Sequence, residues 1–443
     1  MELPVHVKTI IESLEAAGYE AYAVGGAVRD SLDLRLTRDL EPPDYDIATS
    51  ALPSEIKEVF QDYRIVDIGE KHGTIAVIIK GGEKIEITTF RSDGEYTDSR
   101  HPDSVTFTRD LRTDLSRRDF TVNAMAYSDA TGLVDLYGGG QDLLDGILRC
   151  VGEPEKRFAE DALRIMRALR FMSERRFFCE PKTEAALRES KELLLKISPE
   201  RIAAEFDRLL LGDHAEWVII NYCDVLGVVF PELLACAGFE QFNKYHVYDV
   251  LTHTAKAVSA APKDKIIRLA LFFHDISKPL CYSEKNGVSN FKGHPTKSAE
   301  IAEKTMRRLR YNNAAMYKVV LLVEKHRDKL KADRVSVKTL LNKYGQKTLT
   351  QLCELKIADD SAKAEFVKLE LNKHRKVIEK AREIVESGEC FTLGMMAVNG
   401  NDLKELGFSG KEIGKKLNAL LDMVITGQAE NTKESLLRHI KKD

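Results

Sequence analysis

The sequence predicts an α+β multidomain protein: a small head of mixed β-sheet and helices over residues 1–150, followed by helical segments to the end. Three observations predict it. The stretch YAVGGAVRDSLDLRLTRDLEPPDYD, residues 22–46, reads as an apolar strand, a Gly25-Gly26 turn, a helix opening with Arg29-Asp30, and a second strand. Residues 73–80 and 84–90 alternate around Gly81-Gly82 as a β-hairpin. Beyond Pro154 the texture changes to long helical periods without β-rich interruptions.

In chain order, residues 5–17 form an amphipathic helix closed by Gly18, and residues 54–60 a short helix with Ser54 as its cap. From Arg91 to Leu115 the pattern collapses into a polar loop, a length that inside a compact domain points to a mobile or functional segment. Gly138–Gly140 with Asp142 closes the first domain. KRFAEDALRIMRALRFMSERR is helical by period, and Ser198-Pro199-Glu200-Arg201 starts another helix with proline at its first position. Residues 240–370 are helical and carry most of the histidines; residues 388–394 mark a break before a small helical unit. The expected divisions are 1–150, 151–212, 213–380 and 381–443.

A composition of 43% apolar and 31% charged residues is that of a soluble globular chain. The N-terminus is amphipathic and acidic, and no apolar run approaches eighteen residues, which argues against secretion and membrane spanning. Seven scattered cysteines without a CxxC spacing read as reduced residues of a cytoplasmic protein. A net charge of -3 gives no global nucleic-acid signature, so an RNA partner would have to meet local basic surface. Arg307-Arg308-Leu309-Arg310 and Lys373-His374-Arg375-Lys376 are candidates, although each alone also reads as a solvated helical face.

Asp44 and Asp46, two apart on a strand, point to one side while Tyr45 points away. Two such charges about 4 Å apart repel by roughly 4 kcal/mol at an effective dielectric near 20, a cost that a divalent cation between them removes. A solvated loop is the alternative for a lone DxD, but GGxVRD upstream adds glycines that admit a phosphate and an arginine that favours it. Glu86, opposite in face to Ile85 and Ile87, is a candidate third carboxylate. In Arg117-Arg118-Asp119-Phe120-Thr121-Val122-Asn123, Arg118 is placed to reach a triphosphate and Asn123 a ribose hydroxyl, or the arginines form a surface turn. Asp161, Arg164, Arg167 and Arg170 recur every three residues as one stripe. A carboxylate there accepts from the exocyclic amine of cytosine or adenine and finds no donor on the matching edge of uracil; a neighbouring guanidinium donates to the ring nitrogen or carbonyl. The pair would accept CTP and ATP.

GGAVRD with DYD, SRRDFTVNAMAY, EDALRIMRALRF and SPERIAAEF, in this order and spacing, resemble the motifs of the class II tRNA nucleotidyltransferases, the CCA-adding enzymes that share their head with bacterial poly(A) polymerases. The tail from Leu403 resembles the RNA-binding unit of bacterial members. The resemblance implies a polymerase-β-like nucleotidyltransferase head (1–150), a helical neck with the base template (151–212), a body (213–380) and a tRNA-binding tail (381–443). It implies Mg²⁺ on Asp44 and Asp46, with Glu86 as a further catalytic carboxylate. Gly25, Gly26, Arg29, Arg118 and Asn123 would lie against the nucleotide's phosphates and sugar. Asp161 and Arg164 would read the base, Arg167 and Arg170 would support them, and Glu200, Arg201 and Glu205 would brace the template from behind. The full length of the 91–115 segment implies addition of A.

A last constellation comprises His253, His274-Asp275 within FFHDISK, His294, His326 and Asp359. It resembles the HD phosphohydrolases, with HDISK in place of the usual HDxGK. The resemblance implies His253, His274, Asp275 and Asp359 as ligands of a second divalent cation, a transition metal. The expected function is addition of CCA to tRNA from CTP and ATP with no membrane association and no obligate protein partner. The alternatives are an A-adding specialist, a poly(A) polymerase, or a metal-dependent phosphohydrolase with a secondary head.

Overall fold

The computed structural model describes residues 1–33, 45–79, 82–94, 104–285 and 288–440. They form two compact units, Met1–Pro231 and Glu232–Asp443. The fold class is α+β, a mixed-sheet head followed by helices.

The first unit opens with α1 (Val5–Ala16), whose Val7, Ile10, Ile11 and Leu14 recur at helical spacing and are buried. Then come β1 (Ala21–Val24), α2 (Gly26–Leu32), β2 (Asp46–Thr49), α3 (Pro53–Val59), β3 (Arg64–Gly69), β4 (Thr74–Ile78) and β5 (Lys84–Thr89). A short antiparallel pair, β6 (Arg91–Asp93) and β7 (Val105–Phe107), leads to α4 (Leu111–Ser116), β8 (Met125–Ser128), β9 (Gly132–Asp135) and α5 (Gly139–Asp145). Seven strands form one sheet in the order β3-β4-β5-β2-β1-β8-β9. Its single parallel pairing, β2 with β5, sets Asp46 directly beside Glu86. Along β5 the buried residues Ile85, Ile87 and Thr89 alternate with half-buried Glu86 and Thr88, so one face packs and the other carries polar groups. Tyr22, Val24, Ala48, Phe90, Leu111, Leu115 and Ala126 form a core cluster that joins central strands to α4.

Two short strands, β10 (Ile147–Leu148) and β11 (Phe178–Cys179), pair in parallel around α6 (Pro154–Glu160) and α7 (Leu163–Arg175). The unit continues with α8 (Pro181–Glu189), α9 (Pro199–Leu211), α10 (Ala215–Asn221) and α11 (Cys223–Val229), and α12 (Pro231–Leu234) follows. Gly212 lets the end of α9 press against α7: a Cβ there would lie 2.1 Å from the Ser173 hydroxyl and 2.5 Å from its backbone carbon.

The second unit contains α13 (Val250–Ala260), α14 (Lys265–Phe273), the hairpin β12 (Ser283–Lys285) and β13 (Val288–Asn290), α15 (His294–Arg308), α16 (Asn313–Lys325) and α17 (Arg334–Ser361). Gly345, at φ 72°, breaks the long α17. Then come α18 (Glu365–Lys368), α19 (Leu371–Glu386), α20 (Gly400–Glu405), α21 (Lys411–Thr426) and α22 (Lys433–Arg438). Among the described residues no helix is long and apolar enough to cross a membrane.

Several local expectations change. Residues 91–115 are not structureless: β6, β7 and α4 occupy both ends, and Asp110 caps α4 by accepting the Arg112 and Thr113 N–H groups. Residues 95–103 lie outside the described residues. Pro53 rather than Ser54 opens α3, and the Glu55 carboxylate receives the Leu52 N–H at 2.7 Å. The long helical reading of 156–176 divides at Asp161, whose backbone is extended (φ -135°, ψ 99°). Its carboxylate accepts the Leu163 N–H at 3.1 Å, a local bond that competes with helix continuation.

Candidate active site

A cavity of about 650 Å³ opens on the polar face of β2 and β5. Gly25, Gly26, Arg29, Asp46, Glu86, Arg118, Asn123, Asp161, Arg164, Arg167 and Arg170 all line it, from elements spread over almost 150 residues of sequence. Asp44 lies outside the described residues. Seven arginines and five carboxylates border the space, an excess of positive charge suited to a polyanion.

Backbone geometry makes the entrance. Gly25 sits at φ 70°, a region costly for residues with a side chain, and a Cβ there would lie 3.4 Å from an Arg118 nitrogen. A Cβ at Gly26 would stand 3.5 Å from Arg29. The bare turn therefore leaves room beside two guanidinium groups.

Each arginine is held by an acid or a carbonyl. Arg29, buried, donates to the Asn123 side-chain oxygen and to Asp30. Asn123 donates in turn to Asp119 at 3.0 Å. Asp119 receives Arg167 through two nitrogens at 2.9 and 2.7 Å. Burial works against charge on Asp119, yet Arg167 and the Asn123 hydrogen bond overcome it and hold the carboxyl far below its usual range. Arg117 and Arg118 converge on buried Asp114 at 2.7 and 3.1 Å and likewise keep it ionised against its burial. Arg170 reaches Glu205 at 3.0 Å; its burial, with Arg167 close by, lowers its pKa to about 10 although Glu205 opposes the shift. The Phe171 ring lies 5.1, 5.5 and 4.3 Å from the guanidinium carbons of Arg29, Arg167 and Arg170 and spaces them apart.

The stripe expected from Asp161 to Arg170 is not one helical stripe. Asp161 precedes α7, and its carboxylate takes Arg201 of α9 at 3.0 Å rather than Arg164. Arg164 donates to Glu160 at 2.8 Å and to the Arg157 and Arg117 carbonyls. The two side chains still border the same cavity, brought together by the break between α6 and α7. Glu86 forms a 2.6 Å ion pair with Lys84 at the cavity's edge. Sequence reasoning missed Asp114 and Asp119 as anchors. The signal available was an acid within four residues of the Arg117-Arg118 pair on either side.

In the second unit, His253, His274 and Asp359 gather as one buried trio and Asp275, His294 and His326 as another. Asp275 touches both: its Oδ2 lies 3.1 Å from His274 and 3.4 Å from His253, its Oδ1 3.2 Å from His294 and 3.7 Å from His326. Burial opposes charge on His274, but Asp275 and Asp359 overcome it and raise its pKa to about 9. The four residues expected as ligands are together, and His294 and His326 join them.

Residues 21–149 match the family described as the Poly A polymerase head domain, residues 176–236 the probable RNA and SrmB-binding site of polymerase A, and residues 244–364 the HD domain. The CCA-adding enzyme of Lactobacillus helveticus is 49% identical over 48% of this chain and 52% of its own length, so that alignment spans about half of the relative. The CCA-adding enzyme of Streptococcus mutans is 33% identical over 98% of this chain and 96% of its own. The chain belongs to the CCA-adding enzyme family. The crystal structure of the Bacillus stearothermophilus CCA-adding enzyme in complex with CTP aligns with 99% of this chain and 98% of its own, at a TM-score of 0.74 and 31% identity. The Thermotoga maritima CCA-adding enzyme complexed with tRNA shares the fold at a TM-score of 0.56 and 20% identity.

Proposed function

We propose that this chain adds C, C and A to the 3′ end of tRNA, taking CTP and ATP, releasing pyrophosphate and working in the cytoplasm. The observation that carries this reading is the cavity in which Asp46 and Glu86 of neighbouring strands face arginines held in place by buried acids. The donor set suits Mg²⁺, a hard cation that takes carboxylate oxygens. Asp44 and Asp46 would hold it, with Glu86 as third carboxylate once it leaves Lys84. When bound, Mg²⁺ lowers the pKa of the RNA 3′-hydroxyl and offsets charge on the departing pyrophosphate.

The chain's own groups do the rest. Gly25 and Gly26 admit the phosphates, and Arg29 and Arg118 donate to their oxygens. Asn123, tied to Arg29 and Asp119, borders the sugar's place. Asp161 accepts from the exocyclic amine of cytosine or adenine while Arg201 fixes its angle, and Arg164 donates to the ring. Arg167 and Arg170, anchored on Asp119 and Glu205, complete the wall. The neck, body and tail of the four-part division would carry the tRNA, although Arg307 of the basic clusters is engaged by Glu303 on its own helix and Lys373 by Glu370 just before α19.

Incubating the protein with tRNAs that end before CCA, after C or after CC, each with one nucleotide, tests the reading. Products ending in CCA support it; A added only to tRNA-CC makes the chain an A-adding specialist, and long A tails make it a poly(A) polymerase. The buried cluster favours a second activity in the HD unit: His253, His274, Asp275 and Asp359 would hold a divalent transition metal for phosphate-ester hydrolysis.

A further inference from the structure

Helix α9 meets α7 and the bend before it through a stripe of three charged residues. Arg201, Glu205 and Arg208 stand at spacing i, i+4 and i+7 and so share one face of α9. Each meets a residue of opposite charge from residues 161–175. Arg201 pairs with Asp161 at 3.0 Å, Glu205 pairs with Arg170 at 3.0 Å, and Arg208 donates to Glu174 through two nitrogens at 2.9 and 3.1 Å. The first two pairs stand behind the wall that faces the nucleotide. The third does not.

Arg208 lines the cavity, yet its side chain is 56% exposed, whereas none of the other six arginines lining it exceeds 32%. It therefore stands at the open rim rather than in the wall. An exposed ion pair adds little to stability, so the bond to Glu174 is a weak brace between the helices and is given up at small cost. Glu174 also lies 3.7 Å from Arg170, four residues before it. When Arg208 turns away, that carboxylate keeps a cationic neighbour, and Arg170 keeps both Glu174 and Glu205. Neither acid is left as an isolated charge.

We infer that Arg208 binds a backbone phosphate of the RNA strand being extended, exchanging the Glu174 carboxylate for phosphodiester oxygens. This rests on the tRNA-extension reading above and adds to it a residue for the strand rather than for the nucleotide. The 3′-hydroxyl has to reach the place beside Asp46 and Glu86 from the open side of the cavity, so the phosphates just before it cross the rim where Arg208 stands. A guanidinium already set for a two-pronged contact with a carboxylate presents the same fork to two phosphate oxygens. A backbone contact carries no base information. Arg208 thus serves every addition alike and leaves selectivity to Asp161 and Arg164.

Fluorescence anisotropy titration of the full chain with tRNA ending before CCA, and with tRNA ending after CC, tests this without turnover; the KM for CTP at saturating tRNA is the control. Arg208→Ala should weaken binding of both tRNAs about tenfold, lower the slope of log Kd against log salt by about one, and leave the KM for CTP within about twofold. Glu174→Gln, which removes the competitor for Arg208, should tighten tRNA binding. A pair that only braces α7 against α9 would make both substitutions weaken it, and that outcome overturns the inference. A raised KM for CTP with unchanged tRNA affinity moves Arg208 to the incoming nucleotide and overturns it too, as does weaker binding with the parent's salt slope. A parent that extends no tRNA removes the reading on which this rests; a parent that extends tRNA, with an Arg208→Ala variant that binds it equally well, removes only the role of Arg208.

Discussion

The head cavity and the HD cluster both collect charged groups, but they solve opposite packing problems. In the first unit, the acids stand behind the arginines: Asp114, Asp119 and Glu205 are buried and orient guanidinium groups around an open space. In the HD unit, histidines and acids point at one another across distances of 3–4 Å, with almost no exposure. The first arrangement suits a large anion that enters and leaves. The second suits small cations that stay. The same residue chemistry, carboxylate against cation, serves as scaffold in one place and as ligand in the other.

The largest effect should come from separating the two regions. Asp46→Ala should lower nucleotide addition by on the order of 10³-fold, since metal stabilisation of transition-state charge supplies several kcal/mol. Primer-extension rates on tRNA lacking CCA measure it. His274→Ala should leave that rate within about twofold while abolishing metal uptake by the HD unit. Should the two variants fail alike, the regions act as one system and the contrast between them collapses.

The scaffold role of the head acids is open to a stability measurement. Asp119→Asn keeps the shape of the side chain and removes the charge facing Arg167. Breaking a buried pair costs about 3–5 kcal/mol, and the one-third exposure of Arg167 reduces that to about 2–3 kcal/mol. Urea unfolding at pH 7 should show the loss. The pKa of Asp119 is depressed in the folded state, so its stabilisation is complete above the unfolded value near 4 and declines as pH falls toward the folded one. The gap between parent and variant should therefore narrow below about pH 4. A gap that stays constant with pH would mean that lost packing, and not charge, explains the difference.

The sequence makes the contents of both regions legible, but not their wiring. The strand, glycine turn and hairpin of the head follow from period and turn chemistry, and the described residues expected around the nucleotide do border one cavity. The break at Asp161 was hidden because helical period continues through EDALRIM; only a tertiary partner, Arg201, forty residues on, stabilises the extended residue. Asp119 was hidden in plain view between arginines and an apolar run, since its role depends on α7 passing over it. His294 and His326 were visible as histidines, but their pairing needs α15 and α16 packed side by side.

The smallest effect concerns that hidden partner. Arg201→Ala removes the donors that hold Asp161 while leaving its carboxylate in the cavity. Loss of one charge-assisted bond to a half-buried acid corresponds to about 1–1.5 kcal/mol, roughly tenfold in the ratio of CTP to UTP incorporation. Overall CTP addition should fall less than the ratio does, because Arg164 keeps its own bonds to Glu160 and to two carbonyls. Competition assays with both nucleotides present read the ratio directly. A variant that loses rate but keeps its selectivity would make Arg201 a stabiliser of the α6–α7 break alone, and the head would then read bases with α7 rather than with the bent segment before it.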